Sequence, residues 1–221
     1  MLAGLLARAA EGCSGALVAF SPSGTTLAAT DFGGTTYLWD MATHALTATL
    51  RPPAKSSDFF SGVAFSPSGT TLAAGNVNGR TYLWNAATHA LIATLPDPVG
   101  RGVRSMAFSP DGKTLATGDS SGSSYLWNVT THALIATLPD PDSTGVYSVA
   151  FNPSGKTLAA GEFLHANAYL WNAATHSVIT SITDPEVGFT FVAVAFSPDG
   201  KTLVTGLDVG TYFWDVSRLR P

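Results

Sequence analysis

An all-β fold of five four-stranded antiparallel sheets, packed face to face, is predicted by three observations. One motif recurs five times, as Val18-Ala19-Phe20-Ser21-Pro22, Val63-Ala64-Phe65-Ser66-Pro67, Met106-Ala107-Phe108-Ser109-Pro110, Val149-Ala150-Phe151-Asn152-Pro153 and Val194-Ala195-Phe196-Ser197-Pro198. Each copy leads to a tryptophan, at Trp39, Trp84, Trp127, Trp171 and Trp214. Their successive separations are 45, 43, 44 and 43 residues, so one repeat position accounts for all five indoles of the chain. Each unit also holds four short β-prone runs divided by turn residues. A fixed period of this length marks supersecondary units that bury their apolar faces against one another.

The second unit shows the elements in order. Residues around Phe65 form a first strand, and Ser66-Pro67-Ser68-Gly69 follows with proline's fixed φ and a glycine able to take positive φ, as a tight hairpin requires. Thr71-Leu72-Ala73-Ala74-Gly75, Thr81-Tyr82-Leu83-Trp84 and Ala90-Leu91-Ile92-Ala93-Thr94-Leu95 read as the next three strands. The run Tyr82-Leu83-Trp84 is apolar at adjacent positions, which a sheet with one wet face would not tolerate, so both faces are covered. Such a sheet recurring about every 44 residues describes radially stacked blades. The repeats fall at approximately 8–50, 51–95, 96–138, 139–182 and 183–221, within a single domain of 221 residues.

The run from Phe108 to Gly118, Phe-Ser-Pro-Asp-Gly-Lys-Thr-Leu-Ala-Thr-Gly, followed by Tyr125-Leu126-Trp127-Asn128, resembles a WD40 repeat, and the resemblance covers essentially the whole chain. It implies a β-propeller of WD40-type blades similar to bacterial members of the family, with Trp39, Trp84, Trp127, Trp171 and Trp214 in structural roles. There are departures. The family's Gly-His pair is absent, and its turn aspartate falls near Gly33, Asn78 and Ser121. Its Ser/Thr partner of the indole is alanine at Ala29 and Ala74 and threonine at Thr117 and Thr205. The blades are therefore expected to lean on apolar packing, a missing polar set being less costly than a half-satisfied one.

The family most often has seven blades, whereas this chain has five repeats. Pro221 lies seven residues after Trp214, the offset at which Leu91 opens the outer strand after Trp84, and Leu2 to Ala7 stands at an outer-strand position ahead of the first inner strand. The working arrangement is a closed monomer in which segment 1–7 supplies the strand the last blade lacks. The stretch from Leu5 to Glu11 has helical composition, however. The other arrangement is an incomplete ring completed by self-association, because open edges are a liability.

Composition removes several function classes. Net charge is −4 with few charged residues, so there is no broad basic surface for a phosphate backbone, and nucleic acid is not expected as a partner. The one cysteine, Cys13, has no internal disulfide partner. No uncharged apolar run reaches the roughly 18 residues of a membrane span. The start, Met1 to Arg8, lacks a basic leader before its apolar residues, so no signal peptide is read and a cytoplasmic location is expected.

Four histidines, His44, His89, His132 and His176, share one repeat position in an (Ala/Thr)-Thr-His turn. Equivalent turns of a radial array stand on the order of 20 Å apart, against ~2 Å for zinc ligands, so they are read as turn residues and no metal is expected. Ser21, Ser66, Ser109 and Ser197 are duplicated by the repeat and lack a paired base, so they are turn formers and not nucleophiles. No phosphate-cradling glycine loop occurs, and no cofactor is expected. The sequon Asn128-Val129-Thr130 comes from the repeat's own turn. The acidic residues Asp31, Asp119, Glu162 and Asp208 are read as lying at unmatched offsets, which leaves no convergent carboxylates for catalysis.

The repeats differ from one another on one face only. The Ser-Pro and Thr-His turns of one face are nearly invariant. The opposite connections, 51–62, 96–105, 139–148 and 184–193 with the shorter turns 31–34, 76–79, 119–122, 162–167 and 207–210, vary in length and chemistry, as a binding face mounted on a rigid frame does. Phe60, Val103, Val146 and Phe191 share an apolar position assigned to the core. The next position holds Ser61, Arg104, Tyr147 and Val192, alternating toward the central mouth. Arg104 and Tyr147 are the leading partner-binding candidates, since Arg and Tyr dominate interface hot spots. Arg101, Phe59, Phe163 and His165 are secondary.

The expected function is a non-catalytic scaffold that binds a protein or peptide through this variable face. The alternatives are a ligand-sensing domain of a bacterial signalling protein and a lectin-like binder of small molecules or sugars. Equivalent polar and aromatic residues in every variable loop would mark the lectin, and they are absent.

Overall fold

The computed structural model describes residues 17–53, 59–141, 145–163, 167–183, 193–207 and 210–219. Every regular element among them is a strand, and no helix among them is long and apolar enough to cross a membrane. The chain divides into two compact units, 1–103 and 104–221. The proposed closing segment 1–7 lies outside the described residues.

The first unit carries one sheet of β1 (Val18–Phe20), β2 (Thr26–Thr30), β3 (Thr36–Asp40) and β4 (Leu46–Leu50), and a second of β5 (Phe60–Phe65), β6 (Thr71–Asn76), β7 (Arg80–Asn85) and β8 (Leu91–Pro96). The second unit carries a third sheet of β9 (Val103–Phe108), β10 (Thr114–Asp119), β11 (Ser123–Asn128) and β12 (Leu134–Pro139), whose first residue ends the preceding unit. The fourth sheet comprises β13 (Val146–Phe151), β14 (Thr157–Glu162), β15 (Asn167–Asn172) and β16 (Val178–Thr183). The fifth has three strands, β17 (Ala193–Phe196), β18 (Thr202–Leu207) and β19 (Gly210–Asp215). Strand order follows chain order in every sheet, as antiparallel hairpins dictate.

The repeated turns explain the repeated residues. Ser21, Ser66, Ser109 and Ser197 each accept, through Oγ, the backbone N–H five residues on at 2.9–3.0 Å. The glycine three residues after each serine stands at φ between 70° and 73°, where a side chain would be strained. In the third and fifth sheets an aspartate joins this turn. The Ser109 and Ser197 hydroxyls donate to Asp111 and Asp199 at 2.6 Å, and they hold those carboxyls below the usual range, helped by the Lys113 and Lys201 backbone N–H groups.

The turn after each third strand is capped by Asp40, Asn85, Asn128 or Asn172, whose Oδ1 accepts two backbone N–H groups at 2.7–3.0 Å. It ends on His44, His89, His132 or His176 at φ 58–62°. This left-handed conformation is normally glycine's, so the histidines are turn residues that tolerate strain.

Packing is sheet on sheet. In the first unit Ala28, Leu38 and Leu50 of the first sheet bury against Phe60, Leu72, Ala74, Tyr82 and Trp84 of the second. In the second unit Ala116, Leu126 and Leu138 meet Val146, Val149, Leu158, Ala160, Tyr169 and Trp171. Ala159, Ala168 and Leu170 of the fourth sheet then meet Val194 and Leu203 of the fifth, and Val216 just after β19. Each fully buried leucine contributes roughly 1.5–3 kcal/mol, so these joints dominate the fold's stability. Trp84, Trp127 and Trp171 are buried, while Trp39 and Trp214 are half-buried.

Polar links reinforce the joints. Trp127 Nε1–H donates to Thr117 Oγ1 at 3.0 Å and Trp214 Nε1–H to Thr205 Oγ1 at 2.9 Å. Alanine stands at this position not only at Ala29 and Ala74 but also at Ala160, a third apolar replacement. Between sheets, Ser105 Oγ accepts Val149 N–H at 3.1 Å and Ser148 Oγ accepts Val194 N–H at 3.0 Å. Gly118 lets Val146 of the next sheet approach so closely that a Cβ there would lie 2.6 Å from Val146 Cγ1.

The fourth strand of each four-stranded sheet is irregular. Register shifts leave Thr47, Ile92, Ile135 and Ile179 as the extra residue of a bulge opposite Leu38/Trp39, Leu83/Trp84, Leu126/Trp127 and Leu170/Trp171.

Candidate functional site

Arg104, Tyr147 and Phe163 come together in the unit 104–221 as one stacked cluster. Tyr147 owes its direction to a bulge. Val146 pairs with Glu162 and Ser148 with Gly161, so Tyr147 is the extra residue, released from the ladder. A bulge of this kind re-aims a side chain at the edge of a sheet. Its ring stacks on Phe163, with centroids 4.6 Å apart and planes 17° from parallel. Phe163 is placed by its own N–H, which donates to Gly145 O at 3.0 Å. Gly145 has φ 101°, and a Cβ there would lie 3.2 Å from both Ser120 O and Tyr147 Cε2, so this crossing of three loops admits only glycine.

Arg104, exposed on β9, completes the cluster. Its guanidinium carbon lies 5.2 Å from the Tyr147 ring centroid, within cation–π range, and Nε–H donates to Ser120 Oγ at 2.7 Å. Its terminal amino groups make no hydrogen bond or ion pair to the described residues. The cation is thus held by a ring on one face and a hydroxyl at one edge, and its two terminal amino groups carry four further N–H donors. Ser120, in the β10–β11 turn, was not singled out by the sequence, where it is one serine of a Ser-Ser-Gly-Ser-Ser run. Gly145 was likewise silent.

The other candidates are dispersed. Phe59 belongs to the first unit, where it is exposed and meets Phe32 edge-on at 5.1 Å. Arg101 is exposed in the same unit. His165 lies outside the described residues, as do Phe191 and Val192. Phe60, Val103 and Val146 are buried, and Ser61 is the extra residue of a bulge equivalent to that of Tyr147.

The reading of the acidic residues needs correction. Asp31, Asp119 and Glu162 share one repeat position with Asn76, nine residues after the turn proline, and are not at unmatched offsets. The reason is local. Asp31 Oδ1 accepts Thr35 N–H at 2.8 Å, Asn76 Oδ1 accepts Arg80 N–H at 2.8 Å and Asp119 Oδ1 accepts Ser123 N–H at 2.9 Å, each closing the hairpin that follows. Tyr37 and Tyr125 donate their hydroxyls to the second oxygen of Asp31 and Asp119 at 3.0 and 3.2 Å. Burial, together with the Asp31 carboxylate, pushes the Tyr37 hydroxyl above its ordinary pKa. These side chains do the job of the turn aspartate missing at Gly33, Asn78 and Ser121. Asp208 lies outside the described residues.

A cleft of about 510 Å³ opens between the third and fourth sheets beside the repeated Ser-Pro turns, lined by Ser109, Asp111, Phe151 and Lys156 among others. Ser109 and Asp111 are engaged with each other there, as the turn requires. Among the described residues no group of three or more His, Cys, Asp or Glu is placed to hold a metal ion.

The family description "WD domain, G-beta repeat" matches residues 16–40, 46–85, 90–128 and 133–172, well over half of the chain. No curated protein matches it. Repeats of this family generally serve as protein–protein interaction scaffolds and are typically non-catalytic. With four matched repeats and a fifth sheet built on the same strand order, the chain belongs to the WD40 repeat family.

Proposed function

We propose that the chain is a non-catalytic interaction module whose protein or peptide partner docks on the platform of Arg104, Tyr147 and Phe163. The observation that carries this reading is the bulge at Tyr147. The sheet gives up a regular ladder position, and in return an exposed arginine and two half-buried aromatic rings are held in one stack. Tyrosine and arginine concentrate binding energy at interfaces, and ordering them in advance reduces the entropy lost on docking.

The test is affinity capture with the wild type and with Arg104→Ala/Tyr147→Ala, followed by titration of each recovered partner against both proteins. A hot-spot pair lost from the centre of an interface weakens binding by about 2 kcal/mol or more, roughly thirtyfold. Equal affinity for the two proteins would remove the platform from the interface.

A further inference from the structure

We propose that the cleft between the third and fourth sheets binds a zwitterionic molecule of dipeptide size, its ammonium on Asp111, its carboxylate on Lys156 and Asn172, and its apolar body over Phe151. The cleft lies at the other end of β9 and β13 from Arg104 and Tyr147. Its walls are turns that the chain holds together. Gly155 of the β13–β14 turn rests against Pro110 of the β9–β10 turn, where a Cβ would stand 3.6 Å from Pro110 Cδ. Ala173 N–H donates to Lys156 O at 2.9 Å, so the β13–β14 and β15–β16 turns form one wall.

Opposite charges stand on opposite walls. On the third-sheet side, Asp111 Oδ1 accepts the Ser109 hydroxyl at 2.6 Å and Lys113 N–H at 3.0 Å. These bonds, with a smaller pull from the Lys113 charge, keep the exposed carboxyl ionised at neutral pH, and Oδ2 remains as an acceptor. On the fourth-sheet side, the exposed Lys156 ammonium makes no hydrogen bond or ion pair to the described residues. Asn172 Oδ1 is committed to Ala174 and Thr175 N–H, both at 2.8 Å, which leaves its amide N–H groups as donors beside Lys156. Asp111 and Lys156 do not pair with each other.

The fold does not require this charge pattern. At the same two turn positions the first and second sheets carry Ser23 and Thr70, and the fourth and fifth carry Ser154 and Lys201. Ser23 and Ser68 meet the preceding serine hydroxyl at 3.1 Å where Asp111 does, so serine completes the turn as well as aspartate. A carboxylate facing an ammonium across one cleft is thus left to serve a ligand. The volume, about 510 Å³, falls within the roughly 300–1,000 Å³ of small-molecule sites, and half-buried Phe151 with the Pro110 ring supplies an apolar floor. A ligand with one charge would leave one wall unmatched. A zwitterion meets both in charge-assisted bonds.

Isothermal titration of the full chain with the dipeptide alanylphenylalanine tests this, alongside its N-acetyl and C-terminal amide forms. The unblocked dipeptide is expected to bind, and blocking either end to weaken it about tenfold or more, the effect of losing one charge-assisted contact. Asp111→Ser and Lys156→Thr place in these turns the residues that the same turns carry in other sheets, so both variants keep the fold. Each is expected to weaken the unblocked dipeptide by a similar factor, and Asp111→Ser to bind it no better than the N-acetyl form. No binding of the unblocked dipeptide at millimolar concentration, equal binding of the blocked forms, or variants that bind like wild type would each overturn the proposal.

Discussion

Replacing Gly118 by alanine tests the joint on which Arg104 and Tyr147 are mounted. A Cβ at residue 118 would sit 2.6 Å from Val146 Cγ1 and 3.0 Å from both Val146 Cβ and Val146 O, all well inside ordinary contact. Val146 is buried in β13, in the core between the third and fourth sheets. At Gly206, the same repeat position in the fifth sheet, the nearest atom to such a Cβ is Ala193 Cβ at 3.7 Å, an ordinary contact. Overpacking of this kind costs about 1–3 kcal/mol, so Gly118→Ala is expected to destabilise by that amount. Gly206→Ala is expected to be neutral or to stabilise by up to about 1 kcal/mol, through a less flexible unfolded chain. Urea unfolding followed by tryptophan fluorescence reads both. A Gly118→Ala/Val146→Ala pair separates a clash from a loss of backbone freedom, since removing Cγ1 relieves only the former. The double variant should be more stable than the sum of the singles by at least about 0.5 kcal/mol. Equal stability for the two alanine variants, or an additive pair, would refute the close-approach argument.

Other perturbations follow from the same geometry. Thr117→Val leaves the buried Trp127 indole N–H without its acceptor and should cost about 1–3 kcal/mol in the same unfolding assay. His→Gly at residues 44, 89, 132 and 176 relieves a left-handed backbone in each turn, and every single change should raise stability by up to about 1 kcal/mol, seen as a higher Tm. Ser148→Ala removes the acceptor of Val194 N–H, and hydrogen exchange at that amide should accelerate relative to Val149, whose own link to Ser105 is intact. The carboxyls of Asp111 and Asp199 are held below their unfolded-state value, so the stability they contribute is present above the ordinary carboxylate range. It is lost as pH falls through their folded-state values. Tm measured against pH should therefore fall on acidification, and Asp111→Asn/Asp199→Asn should flatten that limb.

The sheets were legible in the sequence because each is written five times over, and a chance strand-like run in one unit is corrected by the others. The buried positions were legible for the same reason, as at Phe60, Val103 and Val146. The hairpin role of Asp31, Asn76 and Asp119 was hidden by chemistry rather than by distance. Aspartate and asparagine at one position look unlike one another until the backbone N–H groups they accept are seen. Arg104 and Tyr147 could be named from alternation along a strand, yet alternation alone cannot show a bulge. Two residues opposing one is a property of the partner strand, and β14 gives no local sign that Glu162 and Gly161 flank Tyr147. Nor could the Ser120 contact be foreseen, since it depends on the β10–β11 turn reaching β9.

The outer bulges at Thr47, Ile92, Ile135 and Ile179 bear on how such a chain avoids aggregation. Leu91-Ile92 and Leu134-Ile135 are aliphatic, uncharged and exposed on sheet margins, a combination that invites a foreign strand to add on and template a growing ladder. A strand interrupted near its beginning cannot offer consecutive donors and acceptors in step, so an incoming segment loses register after a few residues. The same irregularity that spoils each fourth strand as a mould lets the chain repeat one apolar sequence at margin after margin without supplying a continuous surface for fibril growth.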